Sequence, residues 1–120
     1  MIVDSWRRVL ANGLEPIDVL PAIAAEIGRK ATIIFDSGMR SGVDVARAVA
    51  LGADAAFAGK PFLWSLGALG ERGPAHLIDV LTDDVRATLG QLGCASVADL
   101  RRVPVRHPGA YSAADFASRN

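Results

Sequence analysis

Two short stretches carry the residue types for binding an anion: "DSGMRSG" at residues 36–42 and "GKP" at residues 59–61. In the first, Gly38 and Gly42 let the backbone approach a ligand and present amide N–H groups where a helix begins. Arg40 adds a guanidinium fork matched to phosphate oxygens, and Asp36 can accept a hydrogen bond from a hydroxyl. The second stretch offers the Gly59 N–H and the Lys60 ammonium. Either turn alone reads equally well as an ordinary loop with a solvated cation, because glycine and aspartate punctuate most loops. Two of them on consecutive strand ends predict one phosphate site.

The elements that must hold these turns follow from the patterning. "MIV" is a scrap of strand, and "DSWRRVLANGLEP" a loop with Asn12-Gly13 as its turn signal. Leu20, Ile23, Ala24 and Ile27 share one face of a helix over 17–27 that Gly28 closes. "TIIF", at 32–35, is expected as a fully apolar strand buried on both faces of a parallel sheet. Ser41 and Asp44 form a capping-box signature for a helix over 43–51, ended by Gly52. "ADAAFAG" is expected as a second buried strand over 54–58, and the residues around Trp64 as a turn or short extra helix. A long helix over 74–91 carries the stripe Ile78, Leu81, Val85, Leu89 and Leu92, with Gly93 as its stop. Ser96 and Asp99 open one more short helix, and 104–120 form a small-residue tail expected to be mobile.

Strand and helix alternate, so the sheet should be parallel. Two and a half βα units cannot close a barrel, and the chain is expected to be part of something larger. Its 120 residues, 51% hydrophobic, suffice for one modest core. Thirteen basic and 13 acidic residues cancel, leaving no electrostatic footprint for nucleic acid or an anionic membrane. The longest apolar runs fall short of the ~20 residues a membrane span needs. Cys94 alone excludes an intramolecular disulfide, fits a cytoplasmic setting and reads as a small helix-end residue. His76 and His107 are expected at or near the surface.

At the two turns the chain resembles the C-terminal third of the FMN-dependent α-hydroxy-acid dehydrogenases and oxidases, the family of glycolate oxidase, L-lactate dehydrogenase and mandelate dehydrogenase. The family pattern "DGGxRxGxDVxKALALGAxxVxxGRP" reads here "DSGMRSGVDVARAVALGADAAFAGKP". "PIDVLP" at 16–21 and the ending "GCASVADL" also match, so the resemblance covers roughly residues 14–103. It implies about β7-α7-β8-α8 of a (β/α)8 barrel, with residues 1–103 as its C-terminal portion. It implies FMN, with Asp36, Ser37, Gly38 and Arg40 at the ribityl-phosphate end and Gly59 and Lys60 on the phosphate. The reaction implied is oxidation of an L-2-hydroxy acid to a 2-oxo acid.

The departures bear on that reaction. Ungapped alignment back from Pro16 sets "VDSWRRVLAN" against the family's "SNHGGRQLDG". Arg8 falls on the arginine that binds the substrate carboxylate, but Ser5 falls on the histidine that acts as base. No catalytic residue is therefore assigned, since a serine without a neighbouring base does not take that proton. Ser37 replaces a glycine, a harder fit if the position needs positive φ, and Lys60 replaces an arginine. The expectation is an FMN-phosphate half-site, inactive alone, with FMN bound weakly or not at all. The alternatives are a non-catalytic half-barrel that binds a phosphate ligand or self-associates through open edges, and the remnant of a truncated gene. No metal ligand set is expected.

Overall fold

The structure, a computed structural model, describes residues 2–3, 15–28 and 30–105. Strand β1 (Ile2–Val3) is followed by helix α1 (Pro16–Ile27), β2 (Ile34–Asp36), α2 (Gly42–Ala50), β3 (Ala55–Phe57), α3 (Lys60–Leu69) and α4 (Gly73–Gln91). Short 3-10 turns occupy Gly70–Arg72 and Val97–Arg102. The three strands form one parallel sheet in the order β1-β2-β3, as the alternation predicts. Ile2 pairs with Ile34, Ile34 with Ala55, and Asp36 with Phe57.

The starts of α1 and α2 are closed by side chains. Asp18 Oδ2 accepts the N–H of Glu15 at 3.0 Å, closing the first turn of α1. The capping box at α2 is reciprocal: Asp44 N–H donates to Ser41 Oγ, and Ser41 N–H donates to Asp44 Oδ2. Asp99 does the same service after α4, accepting the N–H groups of Ala95 and Ser96.

One face of the sheet is packed. Ile33, Phe35 and Ala53 are buried with Leu20 of α1, Met39, and Ala48 and Leu51 of the α2 region. A second cluster joins Ala46 and Val49 of α2 to Leu100, with Leu89 and Cys94 partly buried against it. Helix α4 lies along both α2 and α3. Gly73 makes this approach feasible, since a Cβ there would sit 2.0 Å from the Ser65 carbonyl oxygen.

The other face differs from expectation. Register partners in a parallel sheet project to the same side, so Ile34 and Asp36 share a face with Ala55 and Phe57. Ala55 is exposed and Phe57 is 50% exposed. The strands are therefore covered on one face only, because α1 and the α2 region pack on the Phe35 side. Of the two readings for the residues around Trp64, a turn or a short extra helix, the helix is the one that forms, over ten residues with Pro61 near its start. The stripe on α4 is partly buried at Leu81, Val85 and Leu89, whereas Ile78 and Leu92 at its ends are exposed. The Asn12-Gly13 turn and the tail from 106 lie outside the described residues.

Candidate phosphate site

The first turn leaves β2 at Asp36 and enters α2 at Gly42. Ser37 has φ 131°, and Gly38 has φ 74°. Ser37 thus occupies a conformation that glycine adopts freely and a Cβ resists, as feared from the substitution. Asp36 is half-buried on the open face of the sheet, while Gly38 and Arg40 are exposed.

Three amide donors of this turn, those of Arg40, Ser41 and Gly42, are already engaged. Asp44 Oδ2 accepts the N–H groups of Arg40 and Ser41, each at 3.1 Å. Asp84, projecting from α4, accepts the N–H of Gly42 at 2.6 Å. A Cβ on Gly42 would lie 2.4 Å from the backbone nitrogen of Val85 and 2.7 Å from the carbonyl carbon of Asp84. The role predicted for Gly42 is therefore corrected: its missing side chain admits helix α4, not a ligand. The N–H groups of Arg40, Ser41 and Gly42 are thus taken by carboxylates of the protein itself.

The second turn is built differently. Gly59 caps α3 without any side-chain hydrogen bond, and the N–H groups of Phe62 and Leu63 both donate back to its carbonyl. Gly59 and Lys60 are exposed. Because Asp36 pairs with Phe57, the two turns leave the sheet side by side at its C-terminal end. A direct contact then joins them: the Arg40 guanidinium lies over the Trp64 ring of α3, 5.9 Å from its centroid. Trp64 lies one helical turn beyond Lys60 on the same side of α3. Arg40 is thereby held on the helix that carries Lys60.

A cleft of about 440 Å³ next to Ser37 and Gly38 opens instead on the helix-covered side. Glu15 and Asp44 line it against the single cation Arg47, and it includes neither Arg40 nor Lys60. Its charge does not suit an anion, and the two-cation surface is the better candidate. At the opposite end of the strands Asp54 accepts the N–H of Ile33 at 2.8 Å and pairs with Arg101 at 2.6 Å. The Ile33 bond, with the Arg101 charge behind it, holds the Asp54 carboxyl below its ordinary range. That end serves stability.

Sequence reasoning missed Trp64 and Asp84 as parts of the site. Trp64 carries a usable signal, its spacing of four from Lys60; Asp84, 42 residues from its partner Gly42, carries none. Ser5, Arg8 and His107 lie outside the described residues, and His76 is exposed on α4.

Parallel strands joined by helices, with two cationic turns at the strands' C-terminal ends, form an arrangement consistent with part of a barrel of alternating strands and helices. The chain belongs to the FMN-dependent dehydrogenase family, whose sequence profile matches residues 7–107. It is 34% identical over 93 residues to the L-lactate oxidase of Nostoc sp., covering 78% of this chain and 26% of that protein. It is 38% identical over 95 residues to human 2-hydroxyacid oxidase 2, covering 79% of this chain and 27% of the relative. A solved mandelate oxidase variant carrying an FMN adduct superposes with a TM-score of 0.74 at 38% identity, over 79% of this chain and 31% of that one. The chain thus spans about a quarter to a third of the length of these relatives. FMN is the cofactor that accompanies the family. No helix among the described residues is long and apolar enough to cross a membrane.

Proposed function

We propose that this chain supplies the phosphate end of an FMN site in an oxidoreductase of L-2-hydroxy acids, as the last βα units of a (β/α)8 barrel. The observation that carries the reading is the contact of Arg40 with Trp64, one helical turn from Lys60 on α3, between turns that leave adjacent parallel strands. The residues present fit a phosphate: two exposed cations, an uncapped helix start at Gly59, and no carboxylate paired with Arg40 among the described residues. Asp36 faces the same mouth and suits a ribityl hydroxyl. No described residue is assigned to the flavin ring. When bound, FMN supplies the acceptor for the two electrons that leave a 2-hydroxy acid as it becomes a 2-oxo acid.

Arg8 is the residue we assign to the substrate carboxylate. Ser5 stands where the family has its histidine, and general base catalysis is worth roughly 10²–10⁴-fold. The chain alone is accordingly read as catalytically silent. Titration calorimetry tests the site: FMN should bind more tightly than riboflavin, which lacks the phosphate. Equal affinities would remove the phosphate from the site. Anaerobic incubation with FMN and lactate, glycolate or mandelate tests the silence; protein-dependent bleaching would overturn it.

A second reading, a non-catalytic half-barrel that self-associates, is favoured by the uncovered sheet face at Ala55 and Phe57 and by exposed Leu63, Leu66 and Leu69 on α3. A monomeric mass in size-exclusion chromatography with light scattering would count against it.

A further inference from the structure

We propose that Trp64 is a positioning residue of this phosphate site, holding the Arg40 guanidinium beside Lys60 so that the two cations act on one anion. The proposal rests on the phosphate reading of the two turns. Trp64 is 56% exposed, an unusual placement for a residue whose burial contributes so much, and its ring contact is with Arg40. Arg40 is an otherwise free lever. Its backbone is pinned where its N–H meets Asp44 Oδ2, but among the described residues no carboxylate engages its side chain. A long exposed side chain with one fixed end samples many rotamers, and ordering it upon binding costs affinity. The indole removes part of that cost beforehand.

The chemistry of the contact suits the task. A cation over an aromatic ring is held by the ring quadrupole, and the contact uses none of the guanidinium N–H donors. All five remain for oxygen acceptors. A carboxylate in the place of Trp64 would hold Arg40 equally well but would consume its donors and repel the phosphate. Position along the helix supplies the second half of the argument: four residues of α-helix rise about 6 Å, so the ring sits one turn from Lys60, with both side chains on one side of α3. The aromatic ring therefore does for Arg40 what the helix does for Lys60.

The test is calorimetric titration of the 120-residue chain with inorganic phosphate, comparing wild type, Arg40→Ala, Trp64→Leu and Trp64→Phe, with folding checked by circular dichroism. Leucine keeps apolar bulk without a ring, whereas phenylalanine keeps a ring. Trp64→Leu should weaken phosphate about 2–5-fold, and Trp64→Phe should recover at least half of that loss. In an Arg40→Ala background Trp64→Leu should have no further effect. Weakening by Trp64→Leu that persists in that background, or no weakening by Trp64→Leu where Arg40→Ala does weaken binding, overturns the proposal alone. Phosphate affinity that is absent in the wild type, or indifferent to Arg40→Ala, overturns the phosphate reading and the proposal with it.

Discussion

Asp84 Oδ2 lies 2.6 Å from the backbone nitrogen of Gly42, and this bond ties the longest helix to the start of the helix behind the first turn. A carboxylate at a helix N-terminus satisfies an orphan donor and complements the helix dipole. The contact is close enough that no other residue fits at position 42 without moving backbone. Asp84→Ala should therefore cost about 1–3 kcal/mol, the penalty of a half-buried donor left unpaired. Gly42→Ala should cost about 1–3 kcal/mol through overpacking against Asp84 and Val85. Combined, the two should cost less than their sum, because either one already separates α4 from α2. Urea unfolding of the three variants measures this; strict additivity would show the contact to be incidental.

Ser37 is strained by its φ of 131°. Ser37→Gly should raise stability by on the order of 1 kcal/mol, the release of a disfavoured backbone conformation less the extra entropy that glycine brings to the unfolded chain. Ser37→Val should lower it, because a β-branched side chain resists positive φ more strongly. A thermal melt in which glycine lowers Tm would mean that the serine's own contacts outweigh the strain.

Arg40 and Lys60 should differ in how they serve the anion. Arg40→Ala should weaken FMN or phosphate binding by about 1.5–3 kcal/mol, the range for hydrogen bonds to a charged group. Lys60→Ala should cost less, since an ammonium is a point charge without a planar fork. The Lys60 contribution should also fade faster as salt rises, because exposed charges are screened over a Debye length of about 10 Å at 0.1 M. Calorimetry across a salt series resolves the two, and equal, negligible losses would make both turns purely structural.

Acid should loosen the contacts of Asp54 and Asp99 around the Val97–Arg102 turn. Hydrogen bonding from Ile33, then the Arg101 charge, depresses the Asp54 carboxyl, and hydrogen bonds from Ser96 depress Asp99. A carboxyl whose folded pKa lies below its unfolded value adds stability above that value, and the addition is lost as pH falls through the folded pKa. Both start from an ordinary value of 3.8, so the loss should appear below about pH 4. Arg101→Ala should make the acid-side slope shallower, since it removes part of the cause at Asp54. An unchanged slope would place the acid sensitivity elsewhere.

Much of this was legible in the chain itself, for a local reason. The capping pair Ser41 and Asp44 and the stop glycines Gly28 and Gly93 act within a few residues of one another, and βα alternation makes the sheet parallel. The strain at Ser37 could also be anticipated, because backbone preference belongs to the residue type. What only the tertiary structure decided involves partners far apart in sequence. Which face of the sheet is covered depends on where α1 and α2 pack, and that left Phe57 exposed where an apolar run alone reads as buried. The amides of Arg40, Ser41 and Gly42 went to Asp44 and to Asp84, so the glycine that promised room for a ligand made room for a helix. Arg40 met Trp64 because adjacent strands set the two turns side by side. Spacing along a chain specifies what each turn is made of, and packing across the fold determines what those turns have left to offer a ligand.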